Sequence, residues 1–210
     1  MMNKMNFDPE IKINVGFLIY NQVEAMDLNG PIDVFTKANR FDNRYNLYTV
    51  SETSQLVPSE GGTIHMKASY SFENAPQADI LIIPGAAVAT ISEICNNDNI
   101  INWIIQQDQN TKLTVSICTG SLILSKAKIL DGKSATTHHL ALDLLRQNPT
   151  IKVVEKVRYA EDGKFLTSAG ITSGLDVALH IIEMISGKEV AEEIAQTMVY
   201  NRSANMDFIK

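Results

Sequence analysis

One thiol stands where a chain can make it reactive. In Ser116-Ile117-Cys118-Thr119-Gly120, an apolar run from Leu113 ends and a leucine-rich helical pattern reaching Leu130 begins at once. The pattern predicts a strand, a tight turn carrying Cys118, and a helix running back. A nucleophile at a strand–turn–helix junction is the logic of a nucleophile elbow, whose hydrolase form is G-x-S-x-G. Ser116, Cys118 and Gly120 take the corresponding positions, and such small flanking residues let the helix backbone pass close to the strand while the thiol projects into solvent. A thiol at a helix N-terminus faces unpaired N–H groups and the positive end of the helix dipole, which predicts a pKa below the ordinary value of about 8.5. The alternative for a free cysteine is burial as an inert core residue; the flanking pattern favours the nucleophile.

The surrounding elements must bring partners to this thiol. Lys12–Tyr20 and Asp79–Pro84 are short, nearly continuous apolar runs, the mark of strands buried on both faces of a parallel sheet. Tyr45–Val50 and Phe165–Ala169 read as further strands, and residues 56–66 as a hairpin around Glu60-Gly61-Gly62. Helical spacing covers 97–110, and further helices are expected after His138-His139, from Gly170 to Ser186, and over 188–201. A helix is also expected after the first strand, with Asn29 as its N-cap and Pro31 in its first turn, which leaves Asp27 in the preceding loop. The alternation implies an α/β three-layer sandwich around a mostly parallel sheet, with right-handed crossovers. Sites in such sheets form outside the C-terminal strand ends. The Asp27 loop, the Pro84-Gly85 turn and the Cys118 elbow all fall at that edge, and His138 lies at another strand–helix junction there.

The 210 residues fit a single domain, 1–210, with a loose polar leader over 1–10. Apolar residues make up 45%, enough for a large core. A net charge of −6 without a basic run excludes a nucleic-acid footprint. No apolar stretch approaches the ~20 residues that span a bilayer, and no signal-peptide pattern opens the chain. Two cysteines, Cys95 and Cys118, without zinc-ligand spacing imply free thiols in a reducing cytoplasm and no metal site.

Four segments, GFLIYNQVEAMDLNGPIDVF, ADILIIPG, VSICTGSLILSKAKILDGKSATTH and FLTSAGITSGLDVALHIIE, spread from about residue 15 to 185, together resemble the ThiJ/PfpI superfamily. That resemblance implies a flavodoxin-like, glutamine-amidotransferase-like sandwich and a homodimer. Among its branches the likeness is nearest to the group that hydrates isonitriles. It implies Cys118 as nucleophile, Asp27 and Thr119 as its functional neighbours, a small-molecule substrate and no cofactor. Cys118 thiolate would attack the isonitrile carbon, and Asp27 would supply a proton and then activate water. For this task Asp27 must hold a proton near neutral pH, as burial beside a thiolate would make it do. Thr119 and Gly85 offer backbone N–H groups for an oxyanion-type pair. His138 is either an activating partner of the thiol or a helix cap.

Departures from the family pattern bear on substrate. Peptidase-like members carry His directly after the nucleophile, where this chain has Thr119. The hydratase-like P-G-G turn is Pro84-Gly85-Ala86 here, and His139 stands where Trp is usual; both changes are expected near the pocket. Two other readings stay open: a binding or sensing domain related to AraC-type regulators, and glyoxalase or deglycase activity on dicarbonyls. The acidic charge and the length, which leaves no room for a helix-turn-helix, weigh against a stand-alone regulator.

Overall fold

The computed structural model describes residues 7–8 and 11–202. Most of the expected leader over 1–10 falls outside these residues. Phe7, within the expected leader, is buried, with the Lys112 ammonium 4.6 Å from its ring centre.

In chain order the first half runs β1 Ile13–Leu18, α1 Ala25–Ala38, β2 Tyr45–Ser51, β3 Leu56–Pro58, β4 His65–Lys67, β5 Tyr70–Ser71, β6 Ile80–Ile83, α2 Val88–Cys95 and α3 Asp98–Asp108. The second half runs β7 Leu113–Ser116, α4 Gly120–Lys126, β8 Ser134–Ala135, α5 Leu142–Leu145, β9 Lys152–Val153, β10 Tyr159–Asp162, β11 Phe165–Ser168, α6 Ser173–Ser186 and α7 Lys188–Thr197. Seven strands form one sheet in the order β10-β11-β7-β6-β1-β2-β5, parallel throughout except for β10 at the edge.

The continuous apolar runs are explained by two covered faces. Along β6, Ile80 and Ile82 join a core with Phe35 of α1, Ile181 of α6 and Ile194 of α7. Leu81 and Ile83 point the other way, into a core with Ile91 of α2, Ile104 of α3 and Ile123 of α4. Alternate side chains of a strand face opposite sides, so burial on both sides removes polar positions from the strand. The α/β sandwich with a mostly parallel sheet is therefore the fold. No helix among the described residues is long and apolar enough to cross a membrane.

Several boundaries differ from expectation. Glu24, not Asn29, caps α1: its carboxylate accepts from the Met26 N–H. The helix thus starts five residues early, Asp27 belongs to its first turn, and Pro31 sits inside it. Lacking an N–H, Pro31 leaves the Asp27 carbonyl without its usual donor four residues on. The Gly170 helix begins only at Ser173, because Gly170 itself has φ 133. The helix after the elbow stops at Lys126 rather than Leu130, and the last helix stops at Thr197. The short β8 pairs with β9 apart from the main sheet.

Candidate active site

Cys118 occupies a turn between β7 and α4 with φ 54, a left-handed backbone that a non-glycine residue rarely adopts. Bonds from three sides hold it there. Its N–H donates to Ser168 O at 3.0 Å at the end of β11. Its carbonyl accepts from Thr137 Oγ1 at 3.0 Å and from Ser121 Oγ at 3.4 Å. A Cβ at Gly120 would lie 2.3 Å from Ile83 O, so the crossing beside β6 requires glycine. The elbow geometry of the motif is present, and the strain at its centre is fixed by surrounding bonds.

Asp27 is fully buried in the first turn of α1. Its Oδ2 accepts from the Gly85 N–H at 3.0 Å, while Oδ1 has no hydrogen-bond partner among the described residues. Burial, the largest influence, pushes this carboxyl up to about 7. The Gly85 N–H pulls it down, the charges of Glu24 and Glu60 push it up, and Cys118 pulls it down.

The thiol departs from expectation. Cys118 is 7% exposed and does not project into solvent. Burial and then the negative charge of Asp27 push it up to about 12, against a partial pull from Thr119. Desolvation of the charged form outweighs the terminus of a seven-residue helix. The Thr119 hydroxyl donates to Ala86 O at 2.7 Å and accepts from Ala86 N at 3.0 Å. The Thr119 N–H and, after it, the Thr119 side chain supply the pull on the sulfur. Between the two pKa values the pair holds one proton, on sulfur, with Asp27 as carboxylate.

The Gly85 and Ala86 N–H groups are thus taken up by Asp27 and Thr119, so neither is free as an oxyanion donor. Gly85 acts by position instead. A Cβ there would meet Thr119 Oγ1 at 2.6 Å, Asp27 Oδ2 at 2.8 Å and Thr119 N at 2.8 Å.

Above the thiol lies a cavity of about 250 Å³. Its walls combine apolar Ala86, Val88, Leu140 and Ile171 with Glu24, Glu60 and His138. Of the two roles considered for His138, the structure shows the cap. Its Nδ1 accepts from Leu140 N at 3.4 Å, capping the turn His139–Ala141, and its ring lines the cavity. Burial lowers its pKa, so the ring is neutral at pH 7. His139 is exposed and does not line the cavity; it meets His138 with ring centres 4.3 Å apart. Asp176 is ion-paired to Arg158 at 2.7 Å and bonded to the Tyr200 hydroxyl at 2.8 Å. Among the described residues no three His, Cys, Asp or Glu side chains converge as metal ligands.

Sequence reasoning missed four contributors. Gly170 packs against His138 and lies near the sulfur: a Cβ on it would be 2.6 Å from the His138 ring and 3.6 Å from Cys118 Sγ. Its place at the end of β11 was the available signal. Tyr20, at the end of β1, donates to Pro84 O at 2.7 Å beneath the site. Glu24 and Glu60 reach the cavity through a chain crossing that local pattern does not encode.

The model of the DJ-1/PfpI family matches residues 13–184. The isonitrile hydratase of Pseudomonas putida is 33% identical over 90% of this chain and 78% of its own length. The HTH-type transcriptional regulator GbdR of Pseudomonas aeruginosa is 25% identical over 91% of this chain, which spans 52% of that protein. Among solved structures, a ThiJ/PfpI family protein from Pseudomonas syringae superposes with a TM-score of 0.83 at 26% identity, covering 97% of this chain and 82% of that one. Drosophila melanogaster DJ-1beta superposes at 0.79 with 19% identity, covering 91% of this chain and 100% of that one, a likeness of fold. The chain belongs to the DJ-1/PfpI family.

Proposed function

We propose that this DJ-1/PfpI family chain adds water to a small isonitrile, giving an N-substituted formamide through a covalent adduct on Cys118. The observation that carries the reading is the Asp27–Cys118 pair: a buried carboxyl with one unpartnered oxygen, titrating at about 7 beside a thiol that keeps its proton.

The proton count of that pair matches the reaction. In the first step Asp27 carboxylate takes the thiol proton as sulfur attacks the terminal carbon of the isonitrile. The proton passes to that carbon, leaving a thioimidate, R–N=CH–S–Cys118, and a carboxylate. In the second step Asp27 takes a proton from water, the hydroxyl adds to the same carbon, and the proton goes to nitrogen. Collapse to the carbonyl breaks the C–S bond, and the hydroxyl proton returns to sulfur by way of Asp27. One isonitrile and one water give one formamide, and the pair ends with the single proton it began with. A carboxyl with a pKa near the working pH suits both transfers.

The cavity supports a compact, largely apolar substituent, given its volume of about 250 Å³ and its Ala86, Val88, Leu140 and Ile171 walls. Thr119 argues against a peptidase, since no imidazole follows the nucleophile. A second reading, a ligand-sensing domain without turnover, is favoured by the likeness to GbdR. Intact mass spectrometry after mixing with a simple alkyl isonitrile separates the two. The proposed chemistry gives a transient adduct equal in mass to one whole isonitrile, mapped to Cys118. Saturable binding with neither adduct nor formamide supports the sensing domain.

A further inference from the structure

We propose that Glu24 and Glu60 form an acidic rim that makes the Cys118 cavity admit neutral and cationic electrophiles and turn away anionic ones. The inference rests on the reading of Cys118 as the reacting group, and names the substrate class that group accepts.

The two carboxylates come from separate segments that the fold pins together. Glu24 is the N-cap of α1, with its N–H donated to Gly85 O at 2.9 Å and its Oε1 accepting from Met26 N at 3.1 Å. Glu60 opens the short turn between β3 and β4, and its N–H donates to Val23 O at 2.9 Å. A bridge between Val23 and Ser59 ties the same two segments. Both side chains line the cavity, and the Glu24 charge helps push the Glu60 carboxyl above its ordinary value, after the effect of burial.

The charge reaches the reacting groups. Glu24 and Glu60 each raise Asp27, and Glu24 also raises Cys118. The other titratable side chain facing in near the mouth is His138, kept neutral by burial. No Lys or Arg lines the cavity among the described residues. An anionic substituent therefore meets two carboxylates with no cation to answer them, inside a narrow space with apolar walls. An ammonium group meets two acceptors. Like-charge contact in a partly desolvated site lowers the rate of entry and binding together.

Charged thiol reagents test this without reference to isonitriles. Methyl, aminoethyl and sulfonatoethyl methanethiosulfonates each transfer their alkylthio group to a thiolate, forming a disulfide and releasing methanesulfinate. Rates at Cys118 are read by peptide mass spectrometry and divided by those of a small free thiol. The ammonium-to-sulfonate ratio at Cys118 is expected to exceed the free-thiol ratio by about tenfold or more. The double variant E24Q/E60Q should bring it back toward the free-thiol ratio. The amide oxygen that E24Q introduces keeps the N-cap acceptor, and the exposed E60Q alone, expected to give part of the effect, guards against a misfolded double variant. A wild-type ratio equal to that of the free thiol, or a ratio unchanged by the substitutions, overturns the proposal. In parallel, kcat/KM is compared for neutral, ammonium-bearing and carboxylate-bearing alkyl isonitriles of equal length. Turnover of all three at equal kcat/KM sinks the rim and leaves the hydratase reading standing. Turnover of none sinks the hydratase reading, and the labelling ratio still decides the rim.

Discussion

The backbone N–H of Gly85 holds Asp27 Oδ2 at 3.0 Å, and the other oxygen of that carboxylate is buried without a hydrogen-bond partner among the described residues. A buried polar atom left unpaired normally costs about 1–3 kcal/mol. One retained beside a nucleophilic elbow is suited to receive a proton, and that role has measurable consequences.

Asp27→Asn should separate thiol reactivity from turnover. The amide oxygen of the replacement can still accept from Gly85, so the fold should hold. Without the proton carrier, kcat/KM for an isonitrile should fall by about 10²- to 10⁴-fold. The same change removes the charge that raises Cys118, so alkylation of Cys118 by iodoacetamide at pH 8 should speed up. Slower alkylation together with slower turnover would point to a misplaced thiol instead.

The activity profile should follow the carboxyl. The competent form is the singly protonated pair, so kcat/KM should rise with pH through about 7 and then hold level across the accessible alkaline range. E24Q/E60Q removes two charges that raise Asp27, and the midpoint should move to lower pH. A profile governed by a thiol with a pKa below the ordinary value of about 8.5 would instead track thiolate formation and leave the midpoint insensitive to Asp27→Asn.

Stability should carry the same signature with a definite sign. Between about pH 4 and 7 the folded state keeps the Asp27 proton while the unfolded chain has released it, because the pKa rises from 3.8 to about 7 on folding. Stability therefore declines as pH increases through that window, by an amount on the order of 4 kcal/mol at most, and is level above it as far as Asp27 is concerned. Denaturant melts of wild type and Asp27→Asn should converge near pH 4, with the variant gaining relative stability towards pH 7.

Gly85→Ala should be damaging despite its size. The added methyl carbon would sit under 3.0 Å from Thr119 Oγ1, Thr119 N and Asp27 Oδ2. Crowding of this kind typically costs about 1–3 kcal/mol. A lowered denaturation midpoint and loss of turnover are expected together, whereas Ala86→Gly should leave the melt within about 1 kcal/mol, the usual effect of a glycine's extra backbone freedom.

How much of this was legible in the sequence depended on how local the signal was. Apolar runs such as ILII in β6 encode a strand with two buried faces, and Cys118 between Ser116 and Gly120 encodes a tight crossing; both stand in the structure. Asp27 was placed in a loop because Asn29 and Pro31 are strong helix-start residues, yet Glu24 supplies the cap and α1 tolerates an internal proline. The thiol's raised pKa was hidden for a different reason. The helix terminus is a local feature, while burial and the Asp27 charge arise from β1, β6 and β7 converging at one edge. The Glu24–Glu60 pair likewise needs the β3–β4 hairpin to fold over the start of α1, a contact between segments 36 residues apart in numbering. The N–H groups of Gly85 and Ala86, read as possible donors to substrate, instead serve Asp27 and Thr119.

Whether Cys118 carries an isonitrile through to a formamide is open to direct measurement. Wild type and Cys118→Ala are incubated with a simple alkyl isonitrile, and the N-substituted formamide is followed by its formyl proton. Catalytic formation by wild type is predicted, with none above background by Cys118→Ala. Absence of formamide with wild type, or equal formation by Cys118→Ala, would contradict the proposed chemistry.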